Sequence, residues 1–170
     1  LHSFPTRRSS DLTSVINSNQ FTIKAMVEDS GAICDIWHAG DTFDEVREAI
    51  LDDCEDYDVI MTTGGTAISK GDVVLDVVED IGEVLFHGVA IRPGKPAGAG
   101  IINGKMIFTF SGQPVAAMSQ FDMFARKYLF EMQGRHFDFH NVKRTSQLKI
   151  PSQLGTEVRS EERRVGKECR

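Results

Sequence analysis

Residues 57–66 read Tyr57-Asp58-Val59-Ile60-Met61-Thr62-Thr63-Gly64-Gly65-Thr66. A short apolar run ending on a double glycine is a buried strand that delivers a loop, because a strand covered on both faces reads as continuous apolar sequence. The glycines let backbone N–H groups approach an anion closely, and the hydroxyls of Thr63, Thr66 and Ser69 add donors. The loop ends near Asp72, where a helix is expected to start and turn its positive end toward the same space. Two readings stay open: a cradle for a phosphate or adenylate, or a tight strand-to-helix turn. The loop fits neither the Walker pattern nor the dinucleotide fingerprint.

Working outward, residues 73–81 place Val74, Val77, Val78 and Ile81 on one helical face, and Gly82 ends that helix. Residues 83–90 read as a strand. Strands at 98–102 and 106–110 flank Asn103-Gly104, a strong hairpin signal. A long helix is expected over 115–133, with Met118, Phe121, Ala125, Tyr128, Leu129 and Met132 inward. Upstream, the cap cluster Asn17-Ser18-Asn19 opens a helix over about 20–29, and residues 32–37 alternate as a short strand. Thr42-Phe43-Asp44-Glu45 is a capping box, followed by Phe43, Val46, Ile50 and Cys54 at helical spacing. Strands alternating with helices predict an α/β fold: three layers, α/β/α, around a mainly parallel sheet with one antiparallel hairpin. Ligands in such sheets bind at the carboxyl ends of the strands.

Two further loops follow strands. Arg92-Pro93-Gly94-Lys95-Pro96 brings two cations together on a stiff loop, which suits an oxyanion; the plain alternative is a solvated basic turn. Ser111-Gly112-Gln113-Pro114 precedes the long helix, with Pro114 suited to its first turn. The N–H groups of Gly112, Gln113 and Val115 are expected to be available to an anion. Asp72 reads as a helix N-cap or a Mg²⁺ ligand, and Asp41 as a residue before a capping box or a carboxylate at a strand mouth. His38, His87, His136 and His140 show no metal-binding spacing, and Trp37 and Phe86 read as core.

The two ends read differently. One codon choice for residues 159–169 has a reverse complement that, read one base into the frame, encodes His2 to Leu12. Residues 1–12 and 159–170 are therefore expected to be translated sequencing adapter and are set aside. The whole chain carries −6. The first run contributes +1 and the second +2, which leaves −9 for residues 13–158. So acidic a core disfavours nonspecific nucleic-acid binding. Only Cys34 and Cys54 remain, which fits a reducing, cytoplasmic setting, and no apolar run approaches a membrane span. Residues 13–135 form the expected α/β domain, and 136–158 alternate like the truncated start of a β domain.

The stretches TTGGTAISKGD (62–72), HGVAIRPGKP (87–96) and FSGQPVAAM (110–118), with INSN at 16–19, together resemble the molybdopterin-binding domain of molybdopterin molybdenumtransferases, the molybdenum insertases. TGG followed by Asp is shared with molybdopterin adenylyltransferases and competence-damage-type proteins; HGVAIRPGKP is the more specific stretch. The resemblance implies insertion of molybdate into adenylylated molybdopterin, with AMP leaving and Mg²⁺ assisting, in a homodimer whose site lies between subunits. On that footing a lone fragment is expected to be inactive. It implies substrate contacts at Thr63, Gly64, Gly65, Thr66, Ser69, Arg92, Lys95, Ser111, Gly112, Gln113 and Pro114. Asp41 and Asp72 match its acidic positions as catalytic and Mg²⁺-binding carboxylates. Ser111-Gly112-Gln113-Pro114 departs from the family's usual Pro-Gly-Asn-Pro. An adenylyltransferase-like enzyme and a non-catalytic binding or scaffold domain are the competing expectations.

Overall fold

Apolar residues in this chain are spaced to cover both faces of one sheet, and a computed structural model shows how. It describes residues 2–3, 17–40, 42–64, 73–138 and 157–158. In chain order the elements are β1 (His2–Ser3), α1 (Asn19–Asp29), α2 (Phe43–Asp56), β2 (Val59–Thr63), α3 (Val73–Ile81) and β3 (Glu83–His87). There follow β4 (Ile91–Arg92), β5 (Gly98–Ile102), β6 (Lys105–Phe110), α4 (Pro114–Gln120), a π-helical turn (Phe121–Ala125), α5 (Arg126–Met132) and β7 (Glu157–Val158).

The sheet order is β1-β2-β6-β5-β3. β2 runs parallel to β6, with Val59 opposite Met106 and Thr63 opposite Phe110. β5 is antiparallel to both β6 and β3. The α/β class stands, and so does the mainly parallel sheet: β1, β2, β6 and β3 all run the same way, and β5 alone runs against them, as one arm of the hairpin with β6. The hairpin turns at Asn103 (φ 50°) and Gly104 (φ 78°), both positive as a type I′ turn requires.

Successive strand residues point to opposite faces. Ile60 and Ile107 pack with Val46, Ile50 and Cys54 of α2 and Val74, Val77 and Val78 of α3. Met61, Phe108 and Phe110 pack with Ile23 and Val27 of α1 and with Ala117, Phe121, Ala125 and Leu129 on the other side. The result is three layers. Burying each Val, Ile, Leu or Phe is worth roughly 1.5–3 kcal/mol, so these faces rather than helix propensity hold the elements.

Several expectations need correction. Residues 32–36 form no ladder, and Trp37 makes only an isolated bridge. Alternation fixes which side chains point inward, but a strand exists only where a neighbour pairs with it. Trp37 is exposed, with its indole N–H donated to the Tyr57 hydroxyl at 3.1 Å. Met118 and Met132 are also exposed. The buried stripe runs Ala117, Phe121, Ala125, Leu129, in steps of four. Steps of four drift around a 3.6-residue helix, and the wider π turn takes up that drift. Arg126 braces the turn, donating to Asp122 at 2.7 Å and to Asp29 of α1 at 2.9 Å.

Short pairings occur at both chain ends. His2–Ser3 lies parallel to Thr62–Thr63, and Glu157–Val158 lies parallel to Ile91–Arg92. An open strand edge accepts extended backbone whatever its side chains. Among the described residues no helix is long and apolar enough to cross a membrane.

Candidate functional site

The chain leaves β2 and β6 at the same edge of the sheet, and the loops that follow touch there. Gly64 (φ 90°) donates its N–H to the Phe110 carbonyl at 3.1 Å, which extends the β2–β6 ladder by one step. Gly64 also lies against the loop after β6, since a Cβ added to Gly112 would sit 3.5 Å from the Gly64 Cα. Thr63 is buried beside them, and its Oγ1 has no hydrogen-bond partner. The first and third glycine loops therefore meet backbone to backbone.

The third loop is held from inside. Ser111 donates its N–H to Gln120 Oε1 at 2.7 Å, and Ser111 Oγ accepts the Gln113 N–H at 3.2 Å. One of the three N–H groups expected to be available to an anion is thus already engaged: the short Ser hydroxyl reaches the backbone two residues on, a common local turn. Pro114 occupies the first turn of α4 as expected.

The second loop joins the same edge through one side chain. Gln120 Nε2 donates to the Gly94 carbonyl at 2.8 Å. The loop is closed on itself by Val89 and Ala97, both donating N–H groups to the Lys95 carbonyl at 2.9 and 3.0 Å. Arg92 and Lys95 project outward and are exposed. Their charges therefore border the edge rather than fill it.

Two residues at this edge escaped the sequence reading. Asn19 reads as part of a helix cap, yet it lies inside α1, is buried, and donates Nδ2 to the Gly112 carbonyl at 2.9 Å. Its Oδ1 has no partner. Ser18 holds the cap position without a side-chain cap bond. Gln120 reads as one polar residue on a long helix. The signal available was its place four residues after Ala116, on a face that turns inward.

The structure thus brings together Thr63, Gly64, Ser111, Gly112, Gln113 and Pro114, and attaches Arg92 and Lys95 through Gln120. Asp41, Gly65, Thr66, Ser69 and Asp72 lie outside the described residues. Among the described residues no three His, Cys, Asp or Glu side chains gather as a metal site. The edge presents backbone dipoles, a buried hydroxyl and peripheral cations, an arrangement suited to holding an anion by fixed electrostatics.

A cavity of about 420 Å³ lies at the other end of the sheet, where β2 begins and α1 and α5 finish. It is lined by Val27, Cys34, Tyr57, Val59, Met61 and Leu129 among others, and burial pushes the Cys34 thiol above its ordinary pKa. Arg92, Lys95 and the described parts of the three glycine loops do not line it.

With this geometry in view, the comparisons with known proteins are specific. Residues 9–131 match the family described as "probable molybdopterin binding domain". A protein of Methanocaldococcus jannaschii whose name assigns it to molybdopterin biosynthesis is 38% identical over 118 residues, which cover 69% of this chain and 30% of that protein. A molybdopterin molybdenumtransferase of Staphylococcus aureus is 31% identical over 120 residues, covering 69% of this chain and 29% of the enzyme. The crystal structure of a molybdopterin biosynthesis MoeA protein from Pyrococcus horikoshii superposes with a TM-score of 0.70 at 26% identity, over 79% of this chain and 34% of the other. The chain spans less than a third of the length of these curated relatives.

Proposed function

Because this chain belongs to the family of probable molybdopterin binding domains, we propose that it serves molybdenum cofactor biosynthesis by binding adenylylated molybdopterin at the three-loop edge. The reaction is insertion of molybdate into the dithiolene, with release of AMP. The observation that carries this reading is the meeting of the three glycine loops at the carboxyl ends of β2 and β6, with Gly64 and Gly112 in backbone contact.

Each part of the edge has a role in this proposal. Backbone N–H groups of Gly65 and Gly112 take the phosphate oxygens, and Thr63, Thr66, Ser69 and Ser111 offer hydroxyls. Arg92 and Lys95 attract molybdate and the phosphates as they arrive. Gln113 and Pro114 shape the floor of the third loop. Mg²⁺, held by Asp41 and Asp72, would neutralise charge on the departing AMP. Catalysis here is positioning and electrostatics, as in other phosphate-ester chemistry. The S. aureus enzyme's name supports this reaction over the adenylylation that precedes it.

The test is a thermal shift of the purified chain with AMP and with molybdate. A ligand that binds only the folded state stabilises it, by about 2.7 kcal/mol at a hundredfold excess over Kd. The melting temperature is expected to rise with each ligand in the wild-type chain. Most of that rise should disappear in the Arg92→Ala, Lys95→Ala double variant. Equal shifts in both proteins, or none in either, contradict the proposal.

A further inference from the structure

We infer that Gln120 is a positioning residue that sets the distance between the second and third loops, and so the width of the anion site between them. The ligand half of this inference rests on the function proposed above. The clamp itself rests on geometry alone.

Gln120 is fully buried in the last position of α4. A buried amide is tolerated only when its polar atoms find partners. Here both partners are main-chain atoms of different loops: Ser111 N–H at 2.7 Å and the Gly94 carbonyl at 2.8 Å. They fix which end of the amide is oxygen, since a donor faces one end and an acceptor the other. Neither an ionised Glu nor a Met supplies both bonds. Gly94 (φ 118°) fits this approach, because a Cβ there would lie 3.3 Å from Gln120 Cγ and 2.9 Å from Ile91 Cδ1. The π turn begins at the next residue, Phe121, and irregular turns of this kind recur at functional sites. A residue serving only to fill the core would not need to reach two loops with two opposite groups.

The experiment uses the full chain with Gln120→Glu and Gln120→Met, read by amide hydrogen exchange and by AMP titration in a calorimeter. In Gln120→Glu the carboxylate still accepts from Ser111 N–H but opposes the Gly94 carbonyl. Exchange at Val89 and Ala97 should therefore quicken while Ser111 stays protected. In Gln120→Met all three should quicken. AMP affinity should fall about tenfold in Gln120→Glu, the effect of losing one buried hydrogen bond, and further in Gln120→Met, which loses both. If Gln120→Met does not fold, Gly94→Ala breaks the same contact from the loop side. Unchanged exchange at Val89 and Ala97 in Gln120→Met overturns the clamp. Quickened exchange with unchanged AMP affinity overturns the positioning role and leaves the proposed function standing. A wild-type chain that fails to bind AMP contradicts the proposed function, and the exchange data then decide the clamp alone.

Discussion

Single residues set the tolerances of this fold. Gly100 sits where β5 passes under α3, and a Cβ there would lie 2.5 Å from Val78 Cγ1 and 2.7 Å from the Glu83 carbonyl oxygen. Gly100→Ala is expected to destabilise the chain by about 1–3 kcal/mol through overpacking, read as a lower urea midpoint at unchanged slope. The thiols of Cys34 and Cys54 supply a second residue-scale prediction. Burial raises both pKa values above the ordinary thiol value. A raised folded pKa gives stability that is fully present below the unfolded value, about 8.5, and lost as pH rises through the folded one. The urea midpoint should fall above about pH 8.5, and Cys34→Ala with Cys54→Ala should flatten that fall. A decline of the same steepness in the double variant argues against the thiols. At this scale the sequence announced Gly64 and Pro114 because glycine and proline carry their conformations with them. It could not announce Asn19 or Gln120, whose partners lie 93 and 26 residues away.

Secondary-structure elements were legible wherever their signal is local. The capping box is present as read: Glu45 N–H reaches Thr42 Oγ1 at 3.4 Å, and Thr42 N–H reaches Glu45 Oε2 at 3.1 Å. Thr42→Ala should cost about 1 kcal/mol by chemical denaturation. Ser18→Ala should stay within about 0.5 kcal/mol, because Ser18 makes no side-chain cap bond to α1. Equal losses would mean that helix caps matter less here than the tertiary contacts of the helices. The hairpin at Asn103-Gly104 was likewise visible, since its turn type demands those residues. The strand expected at 32–37 was not formed, because pairing is a property of two segments. The π turn was invisible for a related reason: its wider winding follows the core that Phe121 and Ala125 must reach.

At the scale of the whole molecule, alternation of elements gave the α/β class and the three layers. The order β1-β2-β6-β5-β3, in which β3 pairs with β5 at the far edge, depends on long-range pairing that no local pattern encodes. The topology leaves two unlike ends. One gathers the glycine loops, the buried Thr63 hydroxyl and the bordering cations. The other holds the cavity around Met61 and Leu129, whose lining includes the carboxylates Asp35, Asp56 and Asp58. The central claim is that the anion binds at the loop end. It is tested most directly by a two-dimensional amide NMR titration of the ¹⁵N-labelled chain with AMP. The account predicts shifts at Gly64, at Gly94 and Lys95, and at Ser111 to Gln113, with Cys34, Val59 and Leu129 still. Shifts centred on that second group, or no saturable shifts, would contradict it.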